Sequence, residues 1–178
     1  VTGQRPGEVA GMHEDEIDGL WWTIPASRRG KTENENRVFL TGTAMSIINA
    51  AKAEVARLQK RRKEPSAGFI FEARSGSGLD NNSLCRAVAR KHEKLGAKDD
   101  PQWGRWTPPD LRRTMRTGLS AGRIRPDIAE LVIGHGKRGV VAIYDQYGFD
   151  AERRHAAEVW EQRLLAIVAG RNPDADDT

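Results

Sequence analysis

Apolar residues recur at helical spacing through most of this chain, and that period constrains the fold more than any other feature. In residues 43–59, TAMSIINAAKAEVARLQ, the side chains of Ile47, Ile48, Ala51, Val55 and Leu58 fall on one helical face, with Thr43 as the expected cap. Ile124, Ile128, Leu131 and Val132 form a second stripe, and Val159, Trp160, Leu164, Ile167 and Val168 a third, within residues 151–169. Further helices are expected over 82–96, from the two prolines of TPPDLRRTMRTGL onward, over 139–147, and briefly in RPGEVAGM, where Pro6 suits a first turn. The period-two signal is confined to IDGLWWTIPA, with Ile17, Leu20, Trp22 and Ile24 spaced as strand material, and to NRVFLT. The polar loop SRRGKTENEN between them makes the pair a β-hairpin or small sheet. Trp21, Trp22 and Trp160 read as core residues. The expected fold is α+β, mainly α-helical with a small antiparallel sheet.

The 178 residues fit one domain with a real core, and no internal repeat or linker divides them. Residues 1–170 are expected to form that domain and the acidic end RNPDADDT, 171–178 at its far end, a frayed tail. A net charge of +4 with a pI of about 9.5 hides local basic runs that suit a polyanionic partner. Lys60, Arg61, Arg62 and Lys63 form one such run, read first as a solvated helix end. A single cysteine, Cys85, excludes a disulfide framework and a cysteine metal site, and points to a reducing, intracellular setting. No apolar run approaches the roughly 18 residues of a membrane span. The chain opens at VTGQRPGEV without an initiator methionine and reads as a piece of a longer protein.

Four dispersed features carry chemistry: Arg5, Lys31, Arg112 with its basic neighbours, and GHGKRGVVAIYDQY with His135, Tyr144 and Tyr147. Two guanidiniums can grip the non-bridging oxygens of a phosphodiester. A lysine can protonate a leaving 5′ oxygen, an imidazole can orient or share a proton, and a tyrosine can be the nucleophile. Each residue has a plainer reading. Arg5 can be a helix-start arginine, Lys31 a solvated loop lysine with Arg28 and Arg29 as substitutes, and Arg112 part of a salt-bridging face with Arg113 and Arg116. His135 can cap an apolar helix, and Tyr144 can belong to the core, with Tyr147 one helical turn later as the alternative nucleophile.

Taken in order, TGQRPGEV, GKTENENRVFL, TPPDLRRT, LVIGHGKRGVVAIYDQY and ERRHAAEVW resemble the tyrosine recombinases, specifically the prophage integrases, over nearly the whole chain. The resemblance implies the catalytic-domain fold of these DNA breaking and rejoining enzymes. It assigns the first arginine to Arg5, the hairpin lysine to Lys31, the second arginine to Arg112, the histidine before the nucleophile to His135, and the nucleophile to Tyr144. Arg28, Arg29, Arg113 and Arg116 become candidate DNA contacts. The implied function is site-specific DNA recombination through a 3′-phosphotyrosine, without metal or nucleotide cofactor, in the bacterial cytoplasm at the nucleoid. The implied partners are double-stranded attachment sites, three further copies in a tetramer, and accessory DNA-bending proteins. The final helix is expected to pack on a neighbouring protomer or equally on its own domain.

Two departures qualify the resemblance. The family's second box normally places a histidine where Pro109 stands here. The first helical turn tolerates proline, since its amides lack intrahelical partners, and Thr107 and Asp110 can still form a capping-box-like pair. Loss of an imidazole donor leaves two readings: a slow recombinase, or a prophage-remnant DNA-binding module without chemistry. A protein-interaction domain with incidental basic residues is the rival from another class. The second departure is the start: the family's amino-terminal DNA-binding domains are expected to lie outside these 178 residues. An exposed apolar patch and weak, salt-sensitive DNA affinity are therefore expected.

Overall fold

The structure is a computed structural model and describes residues 1–29, 34–62, 65–73, 75–91, 106–135 and 148–175. Helix α1, Pro6–Ala10, starts on the proline that fixes its first turn. Three short strands follow: β1, Ile17–Asp18, β2, Trp21–Ile24, and β3, Asn36–Phe39, antiparallel in the order β1-β2-β3. Then come α2, Gly42–Arg62, α3, Asn81–Lys91, α4, Pro108–Ala121, α5, Pro126–Val132, and α6, Asp150–Val168. The chain is mainly helical with one small antiparallel sheet, as its periodicity predicts.

One detail of the sheet differs from the sequence reading. Residues 17–24 do not run as a single strand, because Gly19 adopts φ +56° and turns the chain at Gly19–Leu20. Ile17 then pairs with Trp22, and Leu20 sits at the turn 47% exposed rather than in the core. A glycine is the residue that takes such a dihedral without steric cost. In the longer pair, Trp22 faces Val38 and Ile24 faces Asn36.

Two apolar clusters result. Trp22, Ile24, Val38 and Leu40 pack with Ala44 and Ile48 of α2, and with Met12 and Ile70. Met115 and Leu119 of α4, Ile128, Leu131 and Val132 of α5, and Ala156 and Trp160 of α6 form the other. Burying each large side chain contributes about 1.5–3 kcal/mol, so both clusters outweigh any surface ion pair. Trp22 and Trp160 are core residues as expected, whereas Trp21 lies half-buried on the outer sheet face against Phe39, beneath the guanidinium of Arg37.

Helix α6 packs on its own domain through Ala156, Ala157 and Trp160. Its Glu161 accepts the backbone N–H of Thr43 at 2.6 Å. Thr43 is thus not the cap: α2 begins at Gly42, and the first-turn amide is satisfied by a carboxylate from the far end of the chain. Beyond this contact Leu165, Ile167 and Val168 are exposed. An apolar groove of about 320 Å3 opens beside Val1, lined by Val9, Ile47, Phe71, Leu84, Val88 and Leu111 among others. Among the described residues no helix is long and apolar enough to cross a membrane. The helix expected over 139–147, the end of that over 82–96 and the last residues of the tail lie outside the described residues.

Candidate active site

Arg5 is held by the turn it introduces. It precedes Pro6 in an extended conformation, and Glu8, at the third helical position, reaches back to accept both the Arg5 N–H and its Nη1, each at 2.8 Å. Glu8 is 3% exposed while Arg5 keeps 40% of its side chain in solvent, so a buried carboxylate aims an accessible guanidinium.

Arg112 comes from α4. Thr107 and Asp110 form the expected helix-start pair, with Asp110 Oδ2 accepting the Thr107 N–H at 2.8 Å and its hydroxyl at 2.7 Å. The two prolines are thus accommodated in the first turn. From there Arg112 donates through Nη1 to the carbonyl of Gly3 at 3.0 Å. Gly3 has φ +67°, and a Cβ on it would meet Met115 Sδ at 2.3 Å, so glycine alone lets the turn carrying Arg5 sit this close to α4. Burial first, and then the positive charge of Arg5, pushes the Arg112 guanidinium below its ordinary value. The two cations therefore share one neighbourhood. Arg112 Nη2 is buried without a hydrogen-bond partner among the described residues, a donor that an anionic oxygen would satisfy.

His135 stands just past α5. Gly134 takes φ +81°, its N–H bonds Leu131 O at 3.0 Å, and the His135 N–H bonds Glu130 O at 2.8 Å. This is a Schellman termination. The imidazole Nδ1 is hydrogen-bonded to the Glu130 carboxylate. A cleft of about 450 Å3 is lined by Pro109, Arg112, Arg116, Glu130 and His135 among others, which puts the second arginine and the imidazole on one concave surface. Pro109 faces the same cleft and brings no donor to it.

The basic residues expected at DNA are placed unequally. Arg113 is open, with 79% of its side chain exposed and Nη1 on Asp110 at 2.5 Å. Arg116 donates to Glu130 at 2.6 Å and to Ser120 Oγ at 2.6 Å. Arg28 forks onto both oxygens of Glu16 and reaches Glu8 O. Arg29 turns inward: it is 5% exposed, donates to Asn34 O at 2.7 Å and to Gly134 O, and lies 3.5 Å from Glu8 Oε1. Arg29 thereby touches the end of the loop that carries Lys31, the carboxylate that holds Arg5, and the residue before His135. Lys31, Tyr144 and Tyr147 lie outside the described residues. Among the described residues no group of His, Cys, Asp or Glu is placed to hold a metal ion.

Sequence reasoning missed Glu130 and the structural task of Arg29. For Glu130 a signal existed, since a carboxylate five residues before a Gly-His helix end is placed by the Schellman turn beside the imidazole. For Arg29 there was none, because its partners are carbonyls and a carboxylate distant in sequence.

Comparison with known proteins is consistent with this geometry. The sequence profile of the phage integrase family matches residues 1–149. Prophage integrase IntZ of Escherichia coli (strain K12) is 25% identical over 130 residues, covering 71% of this chain and 30% of that protein. The chain thus spans under a third of this curated relative's length. The crystal structure of XerA recombinase shares the fold, with a TM-score of 0.59 at 18% identity, over 88% of this chain and 53% of that one.

Proposed function

Because the chain belongs to the phage integrase family, we propose that it is the catalytic part of a site-specific DNA recombinase that cleaves and rejoins double-stranded DNA through a 3′-phosphotyrosine. The Tyr144 hydroxyl passes its proton to a base, for which His135 is the candidate, as its oxygen attacks the scissile phosphorus; the bond from phosphorus to the 5′ oxygen breaks, and Lys31 gives that oxygen its proton. Arg5 and Arg112 hold the non-bridging oxygens, and His135 exchanges a proton or hydrogen bond at the same centre. Rejoining is the reverse, with a 5′ hydroxyl attacking the phosphotyrosine and the phenol leaving. The covalent link keeps the energy of the phosphodiester, as strand exchange requires and hydrolysis does not. Exchange between two attachment sites calls for four copies, with accessory bending proteins where the sites demand them.

The observation that carries the reading is the Arg112 guanidinium. It is steered by Gly3 O, crowded by the like charge of Arg5, and presents a buried Nη2 that has no partner among the described residues, beside the cleft of His135. Such an arrangement is costly unless an anion completes it. A nicked duplex that releases a short strand on cleavage provides the test. Protein–DNA adduct on the natural chain, absent in Tyr144→Phe, is the expected result. DNA binding without adduct, in the natural chain and in Pro109→His, would replace the recombinase by a binding module, and no binding at low salt would remove both.

A further inference from the structure

The end of α5 brings Glu130 and His135 together twice. In a Schellman turn the residue two past the cap donates its N–H to the carbonyl of the third residue from the helix end, so these side chains become neighbours. Here those residues are His135 and Glu130, bonded N–H to O at 2.8 Å, and their side chains meet through imidazole Nδ1 and carboxylate Oε2. An ionised carboxylate only accepts, so Nδ1 carries the proton. The other carboxylate oxygen accepts Arg116 Nε at 2.6 Å, and Arg116 Nη1 is itself pinned on Ser120 Oγ. The Arg116 guanidinium first, and also the imidazole, hold the Glu130 carboxyl below its ordinary range, against the raising effect of its partial burial. The ring then has one nitrogen to offer, Nε2, beside the cleft that Arg112 also lines. With Pro109 at the other candidate imidazole position, His135 is the histidine among the described residues that lines this cleft.

We propose that Glu130 is a positioning residue for His135, fixing the Nδ1–H tautomer so that Nε2 faces the cleft as a proton acceptor for the attacking hydroxyl, with Arg116 as the strut that holds Glu130. The inference rests on the recombinase reading for the destination of Nε2, though not for the tautomer itself. It gives Arg116 a task inside the site in place of a contact with the DNA backbone. In the general logic of an oriented imidazole, the partner of one ring nitrogen sets which protonation state the other presents.

The test uses the full chain and two readouts. Two-bond proton–nitrogen spectra of the histidine rings, with His135 identified by its loss in His135→Gln, report the tautomer at mildly alkaline pH. Single-turnover adduct formation on the nicked duplex at saturating protein reports the chemistry. Glu130→Ala is expected to move His135 from Nδ1–H toward Nε2–H, and to slow adduct formation by about 10- to 100-fold, the usual cost of losing such an orienting partner, with duplex affinity unchanged. Arg116→Gln, which leaves the carboxylate in place, is expected to shift both readouts in the same direction by less. An unmoved tautomer in Glu130→Ala overturns the inference, as does an adduct rate that falls only in step with duplex affinity. If the natural chain binds duplex but forms no adduct while the ring responds to Glu130→Ala, the recombinase reading falls and the positioning role stands. If adduct forms and the ring does not respond, the reverse holds.

Discussion

Pro109 occupies the second position of α4, where its missing N–H costs nothing and its ring lines the cleft shared by Arg112 and His135. The substitution that the fold accepts is therefore the one that removes a donor from the chemistry. Restoring an imidazole in Pro109→His is expected to raise the rate of adduct formation by about 100- to 1,000-fold, the worth of one oxyanion donor, at a stability cost below about 1 kcal/mol. Single-turnover cleavage and thermal unfolding of the two chains measure both numbers, and an unchanged rate would mean that the cleft needs no donor there. Glu130 gives a pH prediction of defined sign. Its carboxyl is held below the ordinary value of 4.5, chiefly by Arg116. A depressed folded value means that its contribution is fully present above 4.5 and is lost as pH falls through the lowered value. The natural chain should thus unfold at a higher temperature than Glu130→Gln near neutrality, and the gap should close on acidification.

Helices α4 and α6 meet at Gly118, where an added Cβ would lie 2.4 Å from Trp160 Cζ3. A glycine inside a helix ordinarily weakens it by roughly 0.5–1 kcal/mol relative to alanine. Here it lets the indole lie against the α4 backbone and donate Nε1 to Val1 O at 2.8 Å. Gly118→Ala should therefore destabilise the protein by about 1–3 kcal/mol in urea unfolding, against helix propensity, and a stabilised variant would show that the indole yields. The elements themselves were legible wherever period alone decides them. Ile48 and Val55 mark α2, and Ile128 with Val132 marks α5, because an apolar stripe must face a core whatever lies opposite. The split of residues 17–24 into two strands left a trace that alternation alone does not read: Asp18-Gly19 is a hairpin dipeptide, and the step of three from Ile17 to Leu20 breaks the period of two. Arg5, Arg112 and His135 were legible as motif residues, and the structure draws Arg112 near the other two. Arg28 and Arg29 were read as loop cations free for DNA. Their partners Glu16 and Glu8 lie 12 and 21 residues away in sequence, and pairing at that range leaves no local trace.

Between the sheet cluster and the helical cluster lies a buried polar layer that joins the molecule across its length. Gln4 donates to Val132 O at 2.8 Å and accepts from Asn36 Nδ2 at 3.1 Å, while Arg153 Nη1 reaches Asn36 Oδ1, Arg37 O and Leu131 O. Arg153 Nε also holds Gly148 O at 3.2 Å, and Arg29 holds Gly134 O, so two arginines grip the chain on either side of residues 136–147. Burial first pushes both guanidiniums below their ordinary values, a sign of what it costs to place charge there. Such layers are satisfied or ruinous: removing one partner strands the other, whereas removing both is far milder. Arg29→Met should then cost about 3–5 kcal/mol, because Glu8 is left with one cation and two carbonyls lose their donor. Adding Glu8→Gln to that variant should recover part of the loss, giving a coupling of about 0.5–3 kcal/mol in a double-mutant cycle by urea unfolding. Strict additivity would mean that Glu8 serves Arg5 alone, and that the turn bearing the first arginine and the loop bearing Lys31 are not joined through this pair.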